Sequence, residues 1–340
     1  MARHDAASPR TPRILSGVQP SGKLHLGNYF GALRQHVALQ DEGDAFYFIA
    51  DYHALTSIQD RATLAGRVSD VALDYLALGL DPDRATFFRQ SDVPEVCELT
   101  WILATVTGMG LLERAHSYKD KVAQGLAPRA GLFLYPVLMA ADILAYRSHW
   151  VPVGRDQVQH LEMTRDMALA FHHAFDCEVF PMPEARLALE AEVVPGTDGR
   201  KMSKSYDNTI GIFDEGKTLK KSVMGIVTDS LPVEAPKDPA DNTVHRIYEL
   251  VASREQADEM ARRLRAGGYG YGEAKTALLA AIEERFGEAR ERRRALAADP
   301  DAVEDVLASG ARRARQEARA TLGLVREAVG MAGAPVPRAW

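Results

Sequence analysis

A short apolar run, Ile14-Leu15-Ser16-Gly17-Val18, gives way to a loop of Gln19-Pro20-Ser21-Gly22-Lys23. Apolar positions at helical spacing follow: Leu26, Tyr29, Phe30, Leu33 and Val37. The cycle then repeats. A second run occupies 45–50, a helical face continues through Leu64, Val68, Val71, Ala72 and Tyr75, and Ala85-Thr86-Phe87-Phe88 is a third run. Strands alternating with amphipathic helices predict an α/β fold, a parallel sheet covered by helices. Further helices are predicted over 94–107, 111–123 and 131–147, and a short strand over 150–154. After residue 180 the strand patterning fades. Beyond Asp214 the chain reads as helical to Gly330, with a glycine-rich break over 267–272. The predicted organisation is a flexible polar arm over 1–12, an α/β domain over 13–185, a helical domain over 186–330 and a tail over 331–340. A lysine-rich loop, 195–208, lies at the junction, and the final helix is able to pack back on the first domain.

Charge narrows the partners. Lys and Arg total 41 against 47 Asp and Glu, a net charge of −6, whereas a non-specific nucleic-acid coat would be basic. Arginines do cluster late (Arg290, Arg292, Arg293, Arg294, then Arg312, Arg313, Arg315 and Arg319), but acidic residues match them over 281–330. Both a salt-bridged helix face and an RNA-contact surface fit that pattern. Two cysteines, Cys97 and Cys177, supply neither a disulfide framework nor a zinc site, and no His-Glu-x-x-His spacing occurs. The most apolar stretch, 132–146, is interrupted by Pro136 and Asp142 and falls short of the ~20 residues a membrane span needs. The opening residues show no apolar leader, so the reducing cytoplasm is the expected location.

Two segments suit phosphates. Where the first strand meets its helix, Gln19 to Tyr29 occupies the crevice in which parallel α/β sheets bind nucleotides. Backbone N–H groups and the helix dipole favour anions there. Gly27 permits close approach, and His25 and Asn28, three apart, can share a helical face. The second segment, Lys201-Met202-Ser203-Lys204-Ser205, puts two ammonium groups and two hydroxyls on a loop. Such groups suit a triphosphate whose charge shifts as it reacts.

The His25-Leu26-Gly27-Asn28 and Lys201-Met202-Ser203-Lys204-Ser205 pair resembles the two signature motifs of class I aminoacyl-tRNA synthetases. Wider stretches resemble the bacterial tryptophanyl-tRNA synthetases. These are Ser16 to Gly22, His25 to Tyr29, Tyr135 to Leu144, and Val151 to His160, and the similarity runs in order from 13 to 330. The resemblance implies a Rossmann-type catalytic domain followed by a helical anticodon-binding domain. It also implies ATP-dependent activation of L-tryptophan, transfer to tRNA(Trp), magnesium with the ATP, and a homodimer. Carried over residue by residue, it assigns the chemistry to His25, Asn28, Lys121, Lys201 and Lys204. ATP would be held by Gln19, Pro20, Ser21, Gly27, Asn28, Gly154, Arg155, Asp156, Glu192, Lys201, Met202, Ser203, Lys204 and Ser205. Tryptophan would be held by Leu15, Gly17, Tyr135, Met139, Asp142, Val151, Val153 and Gln157.

Asp142 is the most informative of these. It shares a helical face with Tyr135 and Met139, and a buried carboxylate needs a partner. An indole N–H is one such partner, and Arg147 nearby is another. The chain departs from the family pattern at Arg155, at 191–195, at Ala115-His116-Ser117-Tyr118, at Tyr206-Asp207 and at Leu15. The altered pocket edge motivates one alternative, a paralogue for a ring-substituted tryptophan; a tyrosyl-type enzyme and an idle tRNA- or protein-binding relative are the other two. The late arginines are the expected anticodon region.

Overall fold

The computed structural model describes residues 11–115, 129–154, 157–187 and 193–331. Lys121, Arg155, Asp156, Glu192, His116, the second half of the predicted helix 111–123 and most of both termini lie outside the described residues.

Strand β1 (Arg13–Val18) leads into α1 (Leu26–Asn28), which passes through a π-helical turn, Tyr29–Leu33, into α2 (Arg34–Ala38). Strand β2 (Asp44–Ile49), helices α3 (Asp51–Ala54) and α4 (Arg61–Ala77), and strand β3 (Thr86–Arg89) follow. Then come α5 (Glu95–Val106), α6 (Met109–Glu113), α7 (Ala130–Ala145), β4 (Trp150–Val153), α8 (Val158–Phe175) and β5 (Glu184–Leu187). The five strands form one parallel sheet in the order β3-β2-β1-β4-β5. That order reverses between β1 and β4, the switch point where open α/β sheets take their ligands. The α/β and Rossmann-type expectation therefore holds.

Side-chain alternation divides the core into two layers. On β2, Phe46 and Phe48 enter one apolar cluster, and Ala45, Tyr47 and Ile49 enter the other. Phe88 and Phe87 on β3 divide in the same way. A strand buried on both faces carries no polar face, which is why these runs were readable.

The helical part comprises α9 (Gly216–Met224), α10 (Thr243–Val251), α11 (Arg254–Ala266), α12 (Tyr271–Ala298) and α13 (Pro300–Ala328). Helix α13 does pack back on the sheet. Its Val303 and Leu307 join one apolar layer, and its Ala311, Ala314, Ala318, Leu322 and Val325 join the other. It thus covers the open edge of β3, a strand edge that would otherwise present unpaired backbone. Gly310 makes this possible: a Cβ there would lie 1.8 Å from the Phe87 carbonyl oxygen.

Three expectations are corrected. Strand patterning does not end at residue 180, because β5 is an edge strand whose Glu184, Ala185 and Arg186 are exposed and so leave no apolar signal. The stretch 225–242 is not helical, and Pro232, Pro236 and Pro239 explain why. Its fold is held by the buried Lys237, whose ammonium donates to the carbonyls of Pro232, Val233 and Ala235 at 3.0, 3.0 and 2.9 Å.

The late arginines also face the α/β domain. Arg292 donates to the Ala77 carbonyl, Arg293 to Asp70 and Asp74, and Arg294 to Glu215. Arg313 donates to the carbonyls of Pro82 and Ala85, and Arg315 and Arg319 both pair with Glu95. Arg290 is buried, with Nε donating to the Ile212 carbonyl. Arg292, Arg293, Arg313, Arg315 and Arg319 thus fasten the last two helices to the sheet domain, Arg290 and Arg294 hold the segment before α9, and Arg312 is exposed, so most of the late arginines do not form an RNA-facing stripe.

Candidate nucleotide and amino-acid site

The loop after β1 and the lysine loop meet across a cleft of about 500 Å³. Gln19, Ser21, Gly27, Asn28, Lys201 and Met202 line it, with Gly17 at its inner end. His25 takes the extended conformation that precedes α1, and its backbone N–H donates to Asn28 Oδ1 at 3.1 Å. Asn28 therefore braces the helix entrance as well as lining the cleft. Gly27 is constrained on both sides: a Cβ there would sit 3.0 Å from the His25 ring and 3.2 Å from Met202. The Gly27 N–H also points to Met202 Sδ at 3.3 Å. Gly22 adopts φ +95° beside the Lys204 ammonium, a backbone conformation that glycine supplies without strain.

The lysine loop is stitched down at both ends. Lys204 Nζ donates to the Ser21 carbonyl at 3.0 Å. On its far side, Leu26 N–H donates to the Ile210 carbonyl and Ile212 N–H to the Leu24 carbonyl, at 3.0 and 3.1 Å. Buried Asn208 organises the interior. It accepts from Ser203 N–H at 2.8 Å and donates to Asp198 at 2.7 Å and to the Lys201 carbonyl at 3.1 Å. Ser203 Oγ in turn accepts from Ser205 N–H.

The electrostatics favour an anion. Burial, aided by the Lys204 charge, pushes the His25 imidazole down to about 4, so it is neutral at physiological pH. Desolvation and the nearby Arg67 lower the Lys204 ammonium, against a smaller opposing pull from Asp74. Burial is the larger cause of both shifts, and the smaller part of each, from a neighbouring cation, is one that a phosphate would offset. Beside this cleft lies a smaller cavity of about 290 Å³, reached by His25, Lys204, Asp74 and Arg293. There burial raises Asp74 to about 6 while Arg293 opposes the rise.

The residues expected to hold the amino acid lie in the apolar layer on the other face of the sheet. Leu15 of β1, Val151 and Val153 of β4 and Met139 of α7 share one apolar cluster. Gly17 belongs to the same wall: a Cβ there would meet the Phe48 ring at 2.5 Å. The Tyr135 hydroxyl lies 2.5 Å from His160 Nε2. Gln157 starts the helix after β4, its N–H bonded to the Gly154 carbonyl at 2.9 Å.

Asp142, 1% exposed, lies on α7 within this layer. It does not pair with Arg147. His53 Nε2 lies 2.9 Å from its Oδ2, and Gln90 Nε2 donates to both of its oxygens at 2.8 Å. Burial raises the carboxyl and the His53 and Gln90 contacts lower it, with the balance upward.

Sequence reasoning missed His53, Gln90 and Asn208. A signal for the first two existed, since both stand just past the C-terminal ends of parallel strands, β2 and β3, where such sheets place ligands. Asn208 had none, because its partners are mostly backbone groups brought near by a turn.

Residues 8–287 match the sequence model of the class I tRNA synthetases (W and Y). Curated tryptophan–tRNA ligases from Rhodopirellula baltica and Fusobacterium nucleatum are each 54% identical over 94% of this chain, which covers 99% and 98% of their lengths. A tryptophanyl-tRNA synthetase from Campylobacter jejuni, crystallised with ADP and tryptophan, superimposes with a TM-score of 0.90. It is 49% identical, over 94% of this chain and 99% of its own.

Proposed function

The chain belongs to the class I tRNA synthetases for tryptophan and tyrosine, and from that premise we propose how its residues divide the work. It is an enzyme that joins L-tryptophan to ATP and passes the activated amino acid to tRNA(Trp). The amino-acid carboxylate attacks the α-phosphorus, the bond to the β-phosphate oxygen breaks, and pyrophosphate leaves. The nucleophile comes from the substrate, so the protein's task is alignment and charge stabilisation.

The observation that carries this division is the meeting of two distant segments at the switch point, with Lys204 Nζ 3.0 Å from the Ser21 carbonyl. His25, Asn28 and Gly27 seat the nucleotide at the helix entrance. Lys201 and Lys204 take the charge that builds on the departing pyrophosphate. The cleft side chains here are ammonium, hydroxyl and amide groups, which suit phosphate oxygens, so magnesium would arrive on the triphosphate and neutralise its charge there. The indole ring would lie against Leu15, Met139, Val151 and Val153, with its N–H on Asp142. A phenol, which both donates and accepts, fits this acceptor less well than indole does. With most of the late arginines engaged inside the fold, the exposed Lys217, Lys220 and Lys221 of α9 are the better candidates for RNA phosphate.

Pyrophosphate exchange into ATP tests the reading. Exchange should depend on tryptophan, with tyrosine and ring-substituted tryptophans slower. Exchange driven best by a substituted tryptophan favours the paralogue reading, and no amino-acid dependence overturns the assignment.

The chain would act as a homodimer. Trp101 on α5 is 72% exposed and Met109 on α6 is 62% exposed, and large apolar groups left in water on neighbouring helices suit a second copy. Trp101→Glu should convert the dimer to monomer in sedimentation without lowering the helical signal in circular dichroism. An unchanged sedimentation coefficient would remove this face from the interface.

A further inference from the structure

Asp142 has two oxygens and about four acceptor directions. Three contacts already use them: His53 and Gln90 on Oδ2, and Gln90 again on Oδ1. One direction remains, on Oδ1. Gln90 is fully buried, and its own Oε1 accepts the Tyr52 N–H at 3.1 Å. That second bond fixes which way the amide faces, since a flip would set its carbonyl against the carboxylate and its NH₂ against an N–H donor. Tyr52 N–H is held in place by Asp51 Oδ1 at 3.0 Å, and Asp51 also receives the Ser91 N–H at 3.0 Å. The segments that follow β2 and β3 are therefore joined behind the carboxylate.

We infer that Gln90 is a positioning residue for amino-acid selection: its locked amide spans both oxygens of Asp142 and leaves a single acceptor direction for one ring N–H. The inference rests on the assignment of Asp142 to the indole and adds what aims it. An acceptor filled in this way rewards a substrate with one donor and offers nothing to a ring with none. Gln90 also favours the ionised carboxyl, because its hydrogen bonds exist only to acceptor oxygens. The charged and titratable groups around Asp142 are His53 and Asp51 from α3, Cys97 from α5 and Tyr146, which caps the helix that carries Asp142. Asp51 raises the carboxyl and His53 lowers it.

Gln90→Met keeps the volume and removes the donor. The readout is tryptophan-dependent pyrophosphate exchange, compared with an analogue in which sulfur replaces the indole N–H. The variant should raise KM for tryptophan about tenfold or more with kcat little changed, while KM for the sulfur analogue stays put, so that discrimination falls by the same factor. Removing a donor raises the carboxyl pKa, so the acid limb of the tryptophan KM profile should move to higher pH. Gln90→Glu is the second variant. It keeps the acceptor for Tyr52 and adds a competing carboxyl, and it should move both readouts in the same direction. Equal losses for both substrates, or an unmoved acid limb, would overturn the role of Gln90. Asp142→Ala, which removes the acceptor altogether, separates the layers. If discrimination survives that change, the indole assignment fails and this inference with it. If discrimination is lost there but intact in both Gln90 variants, only the role of Gln90 fails.

Discussion

Lys204→Ala should lower kcat for tryptophan-dependent pyrophosphate exchange by about 10²–10³-fold, the usual cost of removing one preorganised donor from developing charge. KM for tryptophan should barely move, because the ammonium bonds to the loop after β1 and not to the apolar layer that holds Asp142. Lys204 is held by a neutral carbonyl, that of Ser21, rather than by a carboxylate. A neutral partner is cheap to leave when a phosphate arrives. Asp74 is close enough to raise the ammonium's pKa but makes no hydrogen bond to it, being bonded instead to Arg293. The lysine is thus kept near the cleft without being neutralised. Lys204→Arg keeps the charge but not the reach or the single-point geometry, and should recover only part of the rate. A loss below tenfold in the alanine variant would take Lys204 out of the transition state.

The nucleotide half of the site could be read from the sequence because its chemistry is local. A strand end, a small-residue loop and a helix start are contiguous from Gly17 to Asn28, and the lysine loop keeps its five residues together. The amino-acid half was half legible. Asp142 declared itself as a carboxylate in an apolar helix, yet its two partners come from positions 53 and 90, on other strands' ends. Nothing local to Asp142 distinguishes those partners from Arg147, five residues away along the same chain. The late arginines misled for a related reason. Equal numbers of acids and bases over 281–330 say that the charges can be paired, but not that Arg315 and Arg319 pair with Glu95 on α5. Pairing across the fold is set by packing, and the packing of α13 depends on a glycine with no pattern around it.

That glycine carries the larger expected effect on the fold. Gly310→Ala should cost about 3 kcal/mol of stability, the upper part of the range for overpacking a tight contact. The added Cβ would stand 1.8 Å from the Phe87 carbonyl oxygen and 2.6 Å from its carbonyl carbon. Both are backbone atoms of β3, so no side chain can rotate away; either α13 lifts from the sheet edge or β3 shifts inward. Lifting α13 opens both apolar layers at once, since Leu307 lies in one and Ala311 and Ala314 in the other. It also stretches the Arg313 bonds to Pro82 and Ala85 and the Arg89–Glu304 pair that flank β3. Shifting β3 moves Gln90, which follows the strand directly. The substitution should therefore lower Tm and, in whatever protein remains folded, raise KM for tryptophan more than KM for ATP, because the nucleotide cleft rests on β1 and the lysine loop. Gly323→Ala, on the same helix with open space at its Cβ, should leave both readouts unchanged. Equal behaviour of the two variants would mean that α13 does not set the position of the strand edge.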